Sequence, residues 1–168
     1  MKEPAILVVD DEAEMRNFVK DALASEGFTV AMAADGKDGI KQALNLRPDL
    51  ILLDLRMPTV DGVTVCKTLR MYKETEAIPI LVMTASLSQE QIEQAVTAGA
   101  DDFVNKPVNV QDLLIRIRAM LKWKDISDPV ERLSRYGETV REMTDAALPP
   151  PTHRGGPHSG PDQPPTSI

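Results

Sequence analysis

The stretch Pro48-Asp49-Leu50-Ile51-Leu52-Leu53-Asp54-Leu55-Arg56-Met57-Pro58, followed by Asp61-Gly62, decides the fold. Four consecutive apolar residues do not alternate with polar ones, as a half-exposed strand requires. A strand buried on both faces reads this way, so the run belongs to a parallel sheet covered by helices. The run ends abruptly in a carboxylate, Asp54. An ionised group placed directly after a buried strand is costly unless it is paired or used.

Outward from this run, similar apolar stretches begin at Ala5, Phe28, Ile80 and Asp102, of which the last is the weakest. Between them lie segments of helical period. Met15, Phe18, Val19, Ala22 and Leu23 form a stripe that Gly27 ends. Ile40, Ala43 and Leu44 belong to a second helix that stops near Arg47-Pro48. Asp61 caps a third helix carrying Val63, Cys66, Leu69 and Arg70. Ser88-Gln89-Glu90-Gln91 is a capping-box pattern before Ile92, Ala95 and Val96, and Gly99 stops that helix. Asn109 caps a fifth, with Val110, Leu113, Leu114, Ile117 and Leu121 on one face. Five strand–helix units account for residues 4–124. Right-handed crossovers between parallel strands make an α/β, doubly wound sheet of the flavodoxin-like (βα)5 kind.

Residues 1–124 are expected to form one domain, and residues 125–148 a helical extension. Asp128-Pro129-Val130-Glu131 starts a sixth helix, to about residue 146, with Leu133, Tyr136, Val140, Met143 and Ala147 as its apolar stripe. That stripe has two readings, docking back on the domain or pairing with a second chain. Gly137 and the short length favour a peripheral helix, so a monomer or weak dimer is expected. Residues 149–168 hold seven Pro and three Gly and are expected to be disordered.

Composition narrows the function. The 168-residue chain carries 19 Lys+Arg and 26 Asp+Glu, a net charge of −7. This argues against nucleic acid or an anionic membrane as partner. The longest charge-free stretch, Ala77 to Gln89, has 13 residues and is too short to span a bilayer. The N-terminus is too acidic for a signal peptide, so the cytoplasm is the expected compartment. Cys66 is alone and reads as a buried packing residue. His153 and His158 fall in the Pro/Gly-rich tail, which argues against a histidine-based catalytic core.

In such a sheet, ligands bind outside the carboxyl ends of the strands, at the switch point of strand order. Asp10-Asp11, Asp54, Thr84-Ala85-Ser86 and Asn105-Lys106-Pro107 sit at those ends. Three carboxylates in one crevice repel one another, and Lys106 supplies only one positive charge. Oxygen-only donors with a charge deficit suit Mg²⁺. Metal carboxylates, a carboxylate able to attack, a hydroxyl and a lysine are the parts of phosphoryl transfer to aspartate.

These residues bring a family into view. Val8-Val9-Asp10-Asp11-Glu12, Asp54 through Pro58 with Asp61-Gly62, Met83-Thr84-Ala85 and Phe103-Val104-Asn105-Lys106-Pro107 together resemble a response regulator receiver domain of two-component systems. The likeness covers about residues 4–124 and extends to single-domain chemotaxis regulators. It implies strand order 2-1-3-4-5. It implies that Asp54 accepts a phosphoryl group from a histidine kinase or histidine phosphotransferase. It implies Mg²⁺ bound by Asp10, Asp11, Asp54 and the Arg56 carbonyl, and Lys106 on the phosphate before a cis Lys106–Pro107 bond. It further implies that Thr84 and Phe103 switch together, altering the face of the fourth helix, fifth strand and fifth helix toward a protein target. Phe103 lacks a hydroxyl, so only its packing can switch. Arg56 and Ser86 border the phosphoryl site in this likeness and tune dephosphorylation.

On this reading the chain is no enzyme beyond its own phosphorylation and dephosphorylation. Three alternatives stay open. The chain is a fragment of a longer regulator whose output domain is missing, or an aspartyl-phosphate phosphatase, or a flavodoxin-like cofactor binder. The second lacks the usual acid two residues after the nucleophile, where Arg56 stands. The third lacks a phosphate-cradling loop after the first strand.

Overall fold

The computed structural model describes residues 2–85 and 88–148. Its elements alternate: β1 (Ala5–Val9), α1 (Ala13–Ser25), β2 (Thr29–Ala33), α2 (Gly36–Leu46), β3 (Leu50–Asp54), α3 (Gly62–Met71), β4 (Ile80–Thr84), α4 (Gln89–Ala98), β5 (Asp102–Asn105), α5 (Val110–Trp123) and α6 (Pro129–Ala147). The five strands are all parallel, in the order β2-β1-β3-β4-β5. This is the doubly wound, flavodoxin-like fold expected. Phe28 stands just before β2 instead of opening it, and β5 runs on to Asn105.

The unbroken apolar runs are explained by their two-sided burial. Alternate residues of each strand enter different cores. Leu7, Val9, Ile51, Leu53, Ile80 and Val82 meet Ala43, Val65, Cys66, Leu69 and Ala95 from α2, α3 and α4. Ile6, Val8, Leu50, Leu52, Leu81 and Met83 meet Val19, Leu23, Leu113 and Ile117 from α1 and α5. Truncating one such leucine to alanine costs about 2–5 kcal/mol.

The helix starts follow the cap residues. Asp35, Asp61, Ser88, Asn109 and Asp128 each accept a backbone N–H of the first turn. Gly99 ends α4 at φ +108, a left-handed conformation that glycine adopts without strain. Two expected stripe members face water: Phe18 is 49% exposed and Val96 57%.

α6 docks back on α5, as one of the two readings of its stripe expects. The seam is shifted from the expected apolar stripe. Leu133 is 65% exposed and Ala147 is exposed. The buried α6 residue is Thr139, whose hydroxyl accepts the Trp123 indole N–H at 2.8 Å. A hydrogen-bonded threonine is buried at little cost, which hydropathy alone does not register. The expectation of a disordered tail, with His153 and His158, falls on 149–168, outside the described residues.

Candidate functional site

Each strand delivers its last residue to the same end of the sheet. β1 and β3 are neighbours, which brings Asp10 beside Asp54. Asp10 follows the buried run of β1 and is itself fully buried; Asp54 is 3% exposed. Asp10 is held by its own N–H to Ala33 O (3.2 Å) and by its Oδ1, which accepts the Glu12 N–H (2.9 Å). Asp54 Oδ1 accepts the Arg56 N–H at 3.0 Å. Gly62 lets α3 start directly against this strand end. A Cβ there would stand 2.4 Å from the Asp54 carbonyl oxygen.

Lys106, just past the end of β5, closes the site. Its N–H bonds Thr84 O at 2.8 Å, so β4 positions the residue. The Lys106–Pro107 peptide is cis. Lys106 Nζ donates to Asp10 Oδ2 at 2.8 Å and to Asp54 Oδ2 at 3.2 Å, and lies 3.6 Å from Glu12 Oε1. Burial opposes the Lys106 charge, but the bonds and charges of Asp10 and Asp54 outweigh it and raise its pKa. At Asp54, burial dominates. It pushes the carboxyl up to about 6, with Asp10 adding to the rise while the Arg56 N–H and Lys106 oppose it.

Carboxylate oxygens of Asp10, Glu12 and Asp54 all lie within 4.8 Å of one another. Three hard oxygen donors with one ammonium group match the donor chemistry of a small divalent cation. The sequence pattern points to Asp11 as the third carboxylate; in the structure Glu12 converges and Asp11 is exposed outside the triad. The chain stays extended through Glu12, and residues two apart in extended backbone share a side. That parity is the signal by which Glu12 was findable.

Thr84 is buried one residue past the level of Asp54, since β3 and β4 pair Asp54 with Met83. Phe103 is half-buried on β5 opposite Val82 and packs on the α3–α4 side of the core. Arg56 is exposed, two residues after Asp54. Ser86 lies outside the described residues.

Over residues 6–118 the chain matches the family described as the response regulator receiver domain. The chain belongs to that family. This receiver is 42% identical over 139 residues to the DNA-binding dual master transcriptional regulator RpaA of Synechocystis sp., covering 83% of this chain and 56% of RpaA. It is 38% identical over 129 residues to the DNA-binding response regulator MtrA of Mycobacterium tuberculosis, covering 77% and 55%. The chain thus spans about half the length of the curated relatives it matches. Among solved structures, the receiver is similar to the chemotaxis protein CheY4 of Vibrio cholerae, with 32% identity and TM-score 0.68 over 70% of this chain and 98% of that one. It is also similar to the receiver domain of sensor histidine kinase PA1611 from Pseudomonas aeruginosa. There the identity is 29% and the TM-score 0.66, over 74% and 100% of the chains, and that structure has a magnesium ion coordinated in the active site cleft. Among the described residues, no helix is long and apolar enough to cross a membrane.

Proposed function

We propose that this receiver accepts a phosphoryl group on Asp54 from a histidine kinase or histidine phosphotransferase and passes the signal to a protein partner. The observation that carries the reading is Lys106 Nζ bridging Asp10 and Asp54 at the carboxyl end of the sheet. An Asp54 oxygen attacks the phosphorus of the donor's phosphohistidine. The P–N bond breaks, the electron pair leaves on the imidazole, and Asp54 becomes an acyl phosphate. Lys106 then neutralises phosphoryl charge, and Thr84 supplies a hydroxyl to it.

Asp10, Asp11, Asp54 and the Arg56 carbonyl are the proposed Mg²⁺ ligands, with Glu12 as the further converging carboxylate. When bound, the ion offsets the charge gathered between carboxylates and phosphoryl oxygens. Thr84 and Phe103 carry the change to the α4-β5-α5 face, and Arg56 and Ser86 tune hydrolysis. The chain acts as a switch in the cytoplasm, without turnover of external substrates.

A small phosphodonor such as acetyl phosphate with Mg²⁺ tests this reading. Stoichiometric, acid-stable and base-labile label that Asp54→Asn abolishes supports it. Rapid turnover of the donor with no accumulated label on Asp54 favours the phosphatase reading. The names of RpaA and MtrA favour a second setting, in which this segment is the receiver of a longer DNA-binding regulator. The net charge of −7 argues that any DNA contact then lies in other residues.

A further inference from the structure

β5 is one of the two edge strands of the sheet, and α6 reaches across α5 to touch it. The contact is polar and centred on one carboxylate. Asp102, the first residue of β5, accepts the Tyr136 hydroxyl from α6 and an Arg116 guanidinium N–H from α5. Its other oxygen accepts the Phe103 backbone N–H at 2.8 Å. One side chain therefore ties together the sixth helix, the fifth helix and the proposed switch residue. Tyr136 also lays its ring against the α1–α5 side of the core.

Beyond this hub α6 packs along α5. Thr139 is its buried residue, joined to Trp123. Arg135 lies over the same indole, 5.8 Å from the ring centroid. Val130 and Leu133 face solvent, and Gly137 has open space around it in the helix interior. A glycine there weakens the helix and fills no pocket. Burial, together with the Asp102 bond and charge, pushes the Tyr136 phenol well above its ordinary range, so it stays a donor across physiological pH.

We propose that α6 is an intramolecular latch, closed in the unphosphorylated chain through Tyr136–Asp102–Arg116, that covers the β5–α5 part of the output face and is released when Asp54 is phosphorylated. The inference rests on the phosphoryl-switch reading above. Its coupling is local. Phe103 and Asp102 are consecutive on β5 and face opposite sides of the sheet, so it is a shift of the β5 backbone accompanying Phe103 repacking that carries the N–H orienting Asp102 and disturbs its bonds to Tyr136 and Arg116. Among the described residues, Thr139 is the one buried residue of α6, so loss of the Tyr136–Asp102 bond shifts the helix's population.

Amide hydrogen exchange on the full chain tests it, with beryllofluoride and Mg²⁺ as the phosphoryl mimic. Exchange across residues 129–147 should become about tenfold faster on activation, while α1 and the strands keep their protection. Trp123, the only tryptophan, reports in parallel by a red shift of its emission as it loses Thr139. Tyr136→Phe should show the loosened α6 without activator and still label on Asp54. Unchanged α6 exchange in either arm, with Asp54 fully labelled by a phosphodonor, overturns the latch and leaves the phosphoryl reading standing. If Asp54 takes no label from any donor, that reading fails, and the latch fails with it for want of a trigger.

Discussion

At the residue scale, Asp54 joins two properties that oppose one another. It is buried beside Asp10, which raises its pKa, yet Lys106 and the Arg56 N–H favour its charged form. The net effect is a carboxyl titrating near 6 against an ordinary value of 3.8. A carboxylate raised on folding destabilises the fold at high pH, and that penalty is relieved as pH falls through the folded value toward the unfolded one. In metal-free buffer, Asp54→Asn should therefore be more stable than wild type by about 2 kcal/mol at pH 7.5. The gap should close between about pH 7 and pH 4. Denaturant melts at a series of pH values check this, and a constant gap across the range counts against the burial argument. Asp54 was legible from sequence because a charge ending a buried apolar run is costly. Glu12 was harder, because its part depends on which side of an extended segment faces the crevice.

At the element scale, α3 and β3 meet at Gly62. The dipeptide Asp61-Gly62 combines a helix cap with a residue that has no Cβ. The Asp61 carboxylate accepts the Thr64 N–H at 2.8 Å, and Gly62 allows contact with the Asp54 backbone. Gly62→Ala places a methyl against backbone that cannot rotate away. It should cost roughly 2–3 kcal/mol and slow labelling of Asp54 by displacing the strand end. Thermal melts with phosphodonor labelling on the same preparation test both effects. Normal stability together with normal labelling would show that the loop shifts freely. Strand, helix and cap positions were readable to within a residue or two, since each rests on local patterns. The exposure of Phe18 and Val96 was not. A helical stripe says which residues can share a face, not how wide the covering layer is.

At the scale of the whole molecule, the two ends of the sheet are secured differently. The carboxyl end holds the site. The amino end is tied by Arg70 of α3, whose guanidinium donates to Gly99 O, Glu76 O, Ile78 O and Asp101. These partners precede β4 and β5, so one side chain spans both strand entries. Arg70→Ala leaves several carbonyl oxygens short of a donor and should cost about 3 kcal/mol. Labelling of Asp54 should be retained below the new melting temperature, because the site lies at the opposite end. Loss of labelling in still-folded protein would show that the two ends are coupled. Sequence offered no sign of this tether. Arg70 is one arginine of an amphipathic helix, and its partners lie up to 31 positions away.

The sequence by itself determined the α/β class, the strand order through its resemblance to a receiver, and the identities of Asp54, Asp10 and Lys106 at the strand ends. Those follow from local rules: uninterrupted apolar runs, helical period, caps, and the cost of a charge after a buried strand. Tertiary structure alone decided that Glu12 joins the carboxylates and that Lys106 bridges Asp10 and Asp54. It also decided that α6 lies on α5 through Thr139 and Tyr136. Each of these depends on the direction of a side chain or the seating of a helix, where polar partners from distant segments offset burial that hydropathy alone predicts to be unfavourable.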